Sequence, residues 1–379
     1  MKKDQPIYLD SASTTKVDSR VLEVMLPYFS EYYGNASSNH IFGKKAHEAI
    51  DKARANVADI INCNSKEIIF TSGATESINL AIKGYTEANL DKGNHIITVK
   101  TEHKAVLATC EYLETKGFEV TYLGVDKNGL ISLEELQDSV RKNTSLIAIM
   151  YVNNEIGIIQ PIKEIGIICK ENDIIFFCDA TQAIGKVNVD VEESNIDMLC
   201  FSGHKINGSK GVGVLYKRRR LMLSPLLHGG EQEQGLRGGT YNTPSIIGLG
   251  KACELAKKEM IEANNKFNKL NQYFIESINE ITNFSLVSNK ELGVLNIINI
   301  IIPELESDFF IGYLKNIAVS NGSACNSELL EESHVLRAIK PDGFNKNNAL
   351  RISFDKFSTK EDIDLFCNFL RKYLKLKYA

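Results

Sequence analysis

Short apolar runs alternate with helical stretches from about residue 68 to 216, and this alternation constrains the fold more than any other feature of the sequence. Alternation of this kind is typical of βαβ units, which build a mainly parallel sheet. In the helical stretch Lys104–Lys116, Val106, Cys110 and Leu113 share one face, and Gly117 provides a stop. The predicted strands are Ile68–Ser72, Ile96–Val99, Glu119–Leu123, Leu146–Val152, Ile174–Asp179, Met198–Ser202 and Gly213–Tyr216.

The sequence changes character after about Pro244. A charged helical stretch runs to about Glu280, and it is followed by the strand candidates Leu295–Ile302, Ile317–Ser320 and Leu350–Phe354. The sequence therefore predicts an α/β fold with a large, mainly parallel sheet domain over residues 16–255. A smaller α+β domain is expected from residues 1–15 together with residues 256–379. Without a Pro-rich linker, we expect the two domains to pack closely.

Composition and charge exclude several classes of protein. The 379 residues are 43% hydrophobic and 24% charged, which is typical of a globular chain and not of a disordered one. Lys and Arg total 44 and Asp and Glu total 48, so the net charge of −4 argues against direct nucleic-acid binding. No apolar stretch approaches the length of a bilayer span. We expect no membrane segment and a cytoplasmic location.

The eight cysteines are scattered without a CxxC pair, which indicates reduced thiols and no zinc site. Seven of them lie in apolar or helical stretches, where cysteine acts as a small hydrophobe. Cys325 differs because it lies in Ser320–Ser327, a run of small and polar residues. Such a loop suits an accessible, mobile nucleophile, although an exposed cysteine without a role fits the composition equally well.

Polar residues follow two of the predicted strands at the point where each strand ends. Asp179 ends one strand, and Lys205 comes just after the next one. Open α/β sheets bind ligands at the carboxyl ends of their strands. An acid and an amine on neighbouring strands suit pyridoxal phosphate, because the amine forms a Schiff base and the acid pairs with the ring nitrogen. Neither residue is specific by itself.

Three further segments are candidates for binding. Thr71–Glu76 lies between a strand and the predicted helix Ser77–Asn89, where backbone N–H groups can hold a phosphate, although an ordinary capped turn fits equally well. His103 opens a helix and can stack on a ring or move a proton; an exposed first-turn histidine is the alternative. Arg351 interrupts an apolar strand, which implies a carboxylate partner, either a neighbouring Asp or Glu or a substrate.

Six motifs in order along the chain resemble the cysteine desulfurases, of the iron–sulfur and nitrogen-fixation branch. The resemblance runs nearly end to end and implies the fold-type I architecture of the class V pyridoxal-phosphate enzymes. The motifs are Thr71-Ser72-Gly73-Ala74-Thr75-Glu76-Ser77, Lys100-Thr101-Glu102-His103, Val152-Asn153-Asn154-Glu155-Ile156-Gly157, Asp179-Ala180-Thr181-Gln182, Phe201-Ser202-Gly203-His204-Lys205 and Asn321-Gly322-Ser323-Ala324-Cys325.

The resemblance implies a role for each candidate residue. Lys205 would form the internal aldimine and remove the Cα proton of L-cysteine, and Cys325 would take the sulfur as a persulfide while L-alanine leaves. His103 would stack on the cofactor ring and assist proton transfer. The remaining implied contacts are Asp179 with the ring nitrogen, Asn154 and Gln182 with the phenolic oxygen, Ala74, Thr75, Ser202 and His204 at the phosphate end, Arg351 and Asn154 with the substrate, and Thr240 with the cofactor of the partner subunit in a homodimer.

Some alternatives stay open at this point. The sulfur acceptor could be an iron–sulfur scaffold or a partner in tRNA or DNA thiolation, because the chain ends at Ala379 without the longer tail of the housekeeping members. Selenocysteine would fit the same chemistry. Glu231 stands where the family favours a small residue, so we expect an altered loop if that position needs a positive φ. An aminotransferase of the same fold and a non-enzymatic relic are the competing functions.

Overall fold

The computed structural model of this chain describes residues 6–321, 332–341, 343–345 and 347–377. In these residues the strands are β1 (Ile7–Tyr8), β2 (Ile68–Thr71), β3 (His95–Val99), β4 (Glu119–Leu123), β5 (Thr144–Ala148), β6 (Ile175–Asp179), β7 (Met198–Ser202), β8 (Gly213–Lys217), β9 (Ser285–Leu286), β10 (Ile297–Ile301), β11 (Ile317–Ala318) and β12 (Ala349–Ser353). The helices are α1 (Ser19–Met25), α2 (Pro27–Ser30), α3 (Ile41–Ile60), α4 (Ala74–Ala88), α5 (Lys104–Glu114), α6 (Leu133–Asp138), α7 (Ile162–Glu171), α8 (Thr243–Asn279), α9 (Ser307–Tyr313), α10 (His334–Ile339) and α11 (Lys360–Lys377). Over the same ranges, no helix combines the length and the apolar character needed to cross a bilayer.

Seven strands form the large sheet, in the order β2-β8-β7-β6-β5-β3-β4. Strand β8 runs antiparallel to both of its neighbours, and the other adjacent pairs are parallel. The mainly parallel α/β fold predicted from the alternation is therefore confirmed. Because six strands point the same way, the loops that leave their carboxyl ends meet along one edge of the sheet.

The strands of the large sheet are buried on both faces. Phe176 belongs to the core cluster beneath α3, α7 and the first half of α8, whereas its neighbour Phe177 belongs to the cluster beneath α4 and α5. Successive side chains of a strand point to opposite faces, so a strand covered on both sides is apolar at every position. This is why the sequence shows continuous apolar runs here instead of an apolar and polar alternation.

A smaller unit packs beside the large sheet. Its three-stranded antiparallel sheet has the order β12-β10-β9, and β1 pairs in parallel with β11. Helix α8 connects both units, because Leu249 lies in the core of the large sheet and Phe274 lies in a second core with α9 and α11. The boundary expected at residue 255 falls within this continuous helix.

Several element ends differ from the sequence predictions; β5, for example, spans Thr144–Ala148, whereas the sequence predicts Leu146–Val152. Helix α4 begins at Ala74, three residues earlier than predicted, so Ala74 and Thr75 lie in its first turn. At the start of α6, the Ser132 hydroxyl accepts a hydrogen bond from the Glu135 N–H at 3.1 Å, which is one half of a capping box. The Glu135 carboxylate accepts from Gly124 instead, because the strand-to-helix loop passes beside it.

The close crossing of α3 and α8 generates a stability prediction. A Cβ atom on Gly250 would lie 2.5 Å from the Cα atom of Ala53, a contact that the backbone cannot relieve without moving. We expect Gly250→Ala to lower the free energy of unfolding by about 1–3 kcal/mol. Gly312, in helix α9, has no atom within 4 Å of the same position, so Gly312→Ala should have no destabilising effect. Urea unfolding of both variants measures these free energies. An equal decrease in the free energy of unfolding for the two variants would contradict the prediction.

Candidate active site

A cavity of about 560 Å³ lies at the carboxyl edge of the large sheet. Its walls come from the loops that follow β2, β3, β5, β6 and β7, as the strand directions require. Ten residues singled out from the sequence line it together: Ala74, Thr75, His103, Asn154, Asp179, Gln182, Ser202, His204, Lys205 and Arg351. Residues that are up to 277 positions apart, from Ala74 to Arg351, thus meet in one place.

The amine of Lys205 is held by the N-terminal segment of the chain. Its Nζ donates to the backbone oxygens of Ala12 and Ser13, at 2.6 and 2.7 Å. Thr15 ties the same segment to the loop after β7, because its N–H and hydroxyl both donate to the His204 carbonyl oxygen. The amine therefore has a fixed position at the edge of the cavity.

Arg351 is buried in β12 and has the carboxylate partner that its position implied. Its Nη2 donates to the Asp10 carboxylate at 2.8 Å and to the Ser13 hydroxyl at 2.6 Å, and its Nη1 donates to the Asn154 carbonyl oxygen at 2.9 Å. The Nε atom of Arg351 is buried and has no hydrogen-bond partner among the residues that the structure describes. The three bonds named here use three of the five N–H groups of the guanidinium group, which leaves donors for a ligand in the cavity it lines.

Asp179 ends β6 and is only 5% exposed. Its Oδ1 atom accepts a hydrogen bond from the Thr181 N–H at 2.9 Å. The Thr181 hydroxyl is buried, and none of the described residues forms a hydrogen bond with it. Behind Asp179 lies the fully buried Glu102, which accepts from the Met150 N–H. Burial raises the pKa of the Glu102 carboxyl well above its ordinary range, so a neutral Glu102 adds no negative charge beside Asp179.

The opposite end of the cavity is suited to an anion. Helix α4 begins there without a side-chain cap, and its first residues, Ala74 and Thr75, line the cavity. The first N–H groups and the positive end of the helix dipole are therefore at the cavity wall. Ser202 and His204 line the same end, and the His204 Nδ1 atom lies 3.1 Å from the Thr14 hydroxyl. Burial and the charges of Lys205 and Lys210 lower the pKa of His204 to about 4.

His103 and Asn154 complete the walls of the cavity. His103 is the N-cap of α5, where its Nδ1 atom accepts from the Ala105 N–H at 3.1 Å, so the prediction that it opens a helix is confirmed. Asn154 precedes Glu155, whose buried carboxylate accepts from the Ser333 hydroxyl at 2.5 Å. Burial raises the pKa of the Glu155 carboxyl to about 7.

The remaining two sequence candidates are Cys325 and Thr240. Cys325 falls outside the described residues. Thr240 is exposed and does not line the described part of the cavity. In the loop before Thr240, Glu231 has a φ of −81°, an ordinary value, so the condition for an altered loop at Glu231 is not met. The positive φ values fall instead on Glu233 and Gln234, at 48° and 61°.

The unusual backbone at Glu233 is held by a buried ion pair. Arg54 donates to both oxygens of the Glu233 carboxylate, at 2.8 and 2.6 Å, and the Phe70 N–H donates to the same group at 2.8 Å. These three charge-assisted contacts fasten the loop against β2 and α3. Arg237 in the same loop pairs with Glu76 in the first turn of α4.

Sequence reasoning missed the segment that carries Asp10, Ala12 and Ser13, and it missed the buried carboxyl of Glu102. A signal for the first was present, because Asp10-Ser11-Ala12-Ser13-Thr14-Thr15 is a run of small and polar residues directly after an apolar strand. For Glu102 the sequence shows no signal, since a glutamate is normally exposed.

The geometry agrees with comparisons to known proteins. The family model of aminotransferase class-V matches residues 7–366 of this chain. A protein named cysteine desulfurase IscS, from Neisseria meningitidis serogroup C (strain 053442), is 48% identical over 369 residues, which are 97% of this chain and 91% of that protein. The chain belongs to the cysteine desulfurases of the class-V aminotransferase family.

Solved structures of other desulfurase-like proteins share the fold. A structure titled NifS-like protein superposes with a TM-score of 0.93 at 37% identity, and the match covers 98% of this chain and all of that one. A second, titled SspA in complex with cysteine, has a TM-score of 0.83 at 41% identity and covers 93% of this chain and all of that one. The fold-type I architecture implied by the motifs is thus confirmed.

The class-V family implies pyridoxal phosphate for this cysteine desulfurase, and the residues present fit that group. The cavity offers an amine at Lys205, a carboxylate at Asp179 and an uncapped helix N-terminus at Ala74. Two buried polar atoms beside it, the Thr181 hydroxyl and the Arg351 Nε, have no hydrogen-bond partner in the part of the chain that the structure describes. Buried polar atoms are normally satisfied, so these orphaned groups indicate a polar ligand.

The low pKa of His204 predicts a pH-dependent stability difference. The folded protein binds a proton at this ring only near pH 4, whereas the unfolded chain binds one near pH 6.5, so the stability of the apoprotein falls as the pH drops between these values. His204→Gln removes this linkage. Unfolding of the apoprotein and of the variant should show the variant gaining stability relative to wild type as the pH falls through this window. A difference that does not vary with pH would contradict the assignment.

Proposed function

We propose that this chain is a pyridoxal-phosphate-dependent cysteine desulfurase that converts L-cysteine to L-alanine and leaves the sulfur on Cys325 as a persulfide. The observation that carries the proposal is the convergence of Lys205, Asp179 and Arg351 on one cavity. An amine, an acid and a guanidinium group there provide a covalent attachment point, a ring-nitrogen partner and a carboxylate-binding group. The sequence identity to named desulfurases supports the same reaction.

Each wall of the cavity has a role in this proposal. Lys205 holds the cofactor, Asp179 faces the ring nitrogen, and His103 covers the ring. Asn154 and Gln182 donate to the phenolic oxygen. The N–H groups of Ala74 and Thr75, with the side chains of Ser202 and His204, bind the phosphate. A neutral His204 donates a hydrogen bond from one ring nitrogen and accepts a hydrogen bond at the other.

The substrate carboxylate would bind at Arg351. Because Asp10 and Ser13 already occupy Nη2, the guanidinium group is fixed in place before the substrate arrives, and its buried Nε remains available as a donor. Preorganisation of this kind reduces the entropy lost on binding. The substrate is then oriented by a group that does not need to move.

The bound cofactor would draw electrons from the substrate's Cα atom. The amine of Lys205 takes the Cα proton, and His103 assists proton transfer near the thiol groups. The thiolate of Cys325 attacks the substrate sulfur: a sulfur–sulfur bond forms, and the Cβ–sulfur bond breaks with its electron pair on Cβ. Protonation of Cβ and return of a proton from Lys205 to Cα then give L-alanine. No external oxidant is required, because the sulfur passes to the thiolate at the oxidation level of a persulfide.

We also propose that two copies of the chain form a homodimer. Apolar side chains are exposed along α1 to α3, at 46–74%: Leu22, Leu26, Phe29, Tyr33, Ile41 and Phe42. Exposed apolar patches of this extent mark interaction surfaces, and a second copy supplies a matching apolar surface. In this dimer Thr240 of one copy would contact the phosphate of the other, as the resemblance to the family implies; the Arg237–Glu76 contact holds the loop before Thr240 against α4.

The sulfur acceptor would be a protein, either an iron–sulfur scaffold or a thiolation enzyme. The seven described cysteines are free thiols, and six of them are buried. Reduced thiols persist in a reducing compartment, which supports action in the cytoplasm. We further propose the domain division 16–255 and 1–15 with 256–379, since separate apolar cores lie on the two sides of the boundary in α8.

The role of Lys205 can be tested by colour. The protein loaded with pyridoxal phosphate should be yellow, and Lys205→Ala should lose this visible band because no amine remains to hold the cofactor covalently. Absorption spectra after gel filtration provide the measurement, with Lys163→Met, an exposed lysine paired with Glu193, as the control. A colourless wild-type protein would favour a non-enzymatic relic.

The role of Cys325 can be tested by product analysis. Wild type supplied with L-cysteine and a reductant should release alanine and sulfide in equal amounts, whereas Cys325→Ala should release sulfide at least about 100-fold more slowly, because no nucleophile takes the sulfur. Cys63→Ala is the matched control, since burial raises the pKa of that thiol and keeps it unreactive. Equal sulfide release from both variants, or turnover that requires an added keto acid, would contradict the proposal.

A further inference from the structure

We propose that Lys186 is a positioning residue for the cofactor site: it fixes the side-chain amide of Gln182 so that an N–H group, not the oxygen, points into the cavity. This inference rests on the proposed function, because the cofactor is the group that the Gln182 amide would face. Lys186 was not singled out from the sequence, and it does not line the described cavity.

A chain of hydrogen bonds connects Lys186 to the active-site lysine. The Lys186 Nζ donates to the Gln182 Oε1 at 2.9 Å, and the Gln182 Nε2 donates to the Ala12 carbonyl oxygen at 2.8 Å. The same Ala12 oxygen accepts from the Lys205 Nζ at 2.6 Å. Two amines and one amide are thus joined through a single backbone carbonyl group.

These partners allow only one orientation of the Gln182 amide. A carbonyl oxygen only accepts, so the nitrogen end must face Ala12; the oxygen end is then directed at Lys186, whose amine donates to it in either charge state. Gln182 is 3% exposed and lines the cavity. One hydrogen of its NH₂ group is used by Ala12, which leaves the second for a ligand.

The backbone of Lys186 is also held in place. Its N–H donates to the Ala183 carbonyl oxygen at 3.0 Å, and its carbonyl oxygen accepts from the Asn264 side chain, on α8, at 2.7 Å. The amine therefore approaches Gln182 from a backbone anchored on the far side of the cofactor site. A rigid anchor behind a cofactor contact limits the movement of that contact.

The charges around Lys186 favour a weakly basic amine. It lines a small cavity of about 60 Å³ together with Lys205, Asp355, Lys356 and Glu259. Burial and the charge of Lys205 lower the pKa of Lys186 to about 7, against the opposing effect of Asp355. Both the charged and the neutral amine carry N–H groups, so the hydrogen bond to Gln182 does not depend on the charge of Lys186.

A double-mutant cycle on the loaded protein tests this role. Wild type, Lys186→Met, Gln182→Ala and the double variant would be compared by equilibrium dialysis of pyridoxal phosphate and by the pH midpoint of the visible band. We expect Lys186→Met to weaken cofactor binding about three- to ten-fold, the effect of one lost hydrogen bond. Its midpoint should rise, because a lost donor no longer favours the deprotonated phenolic oxygen.

The Gln182→Ala background decides how Lys186 acts. If Lys186 acts through the Gln182 amide, its substitution should change neither the cofactor affinity nor the pH midpoint further once the Gln182 side chain is absent. If Lys186→Met still changes the cofactor affinity and the pH midpoint fully in that background, the Lys186 charge acts directly on Lys205 and the proposal is wrong. A Lys186→Met variant with the affinity and midpoint of wild type would also overturn the proposal.

Two controls separate this proposal from its premise. Lys186→Gln retains a donor and should recover part of the lost affinity, which a general folding defect would not permit. Lys163→Met, on the surface, should match wild type. Uptake of cofactor by wild type with no effect of Lys186→Met would refute the positioning role alone, whereas a wild-type protein that takes up no cofactor would refute the proposed function.

Discussion

The buried guanidinium group of Arg351 is the contact on which the arrangement of the site depends. It joins the small sheet to the N-terminal segment through Asp10 and Ser13, and to the loop after β5 through the Asn154 carbonyl oxygen. A buried charge that loses its partner is strongly destabilising, so these three parts of the chain must come together for the fold to form. The same contacts hold the segment that binds the amine of Lys205, so the small unit helps to position the active-site lysine.

The large sheet contributes the other half of the site by direction alone. Because six of its strands point the same way, Asp179, Ser202 and the start of α4 lie at the same edge of the sheet, and no further contact is needed to bring them there. Burial then separates the roles of the ionisable groups there. The raised pKa of Glu102 and the lowered pKa of His204 keep both groups neutral, while Arg351 is held by hydrogen bonds to Asp10, Ser13 and Asn154.

The sequence predicted most of the sheet and most of the site, and its failures have identifiable causes. Strands β4 and β7 were predicted with the observed bounds, since apolar runs between turn residues are local signals. Asp179 and Lys205 were found because strand ends are visible in the pattern. The N-terminal segment was missed because its contacts join residues far apart in the chain and use backbone oxygens, which no pattern of side chains reveals. Lys186 was missed because a lysine is normally exposed, and the sequence does not show that this one is buried. The start of α4 was missed because no side-chain cap marks it.

The central claim is that one amine of this cavity, that of Lys205, holds the cofactor. Borohydride reduction of the loaded protein fixes the cofactor to the amine that carries it, and peptide mass mapping then locates the modification. Three lysines line this cavity or the small one beside it, so the cofactor could attach to more than one amine: Lys205, Lys210 and Lys186. The account predicts a single modified peptide containing Lys205. Modification at Lys186 or Lys210, or at no lysine, would contradict it.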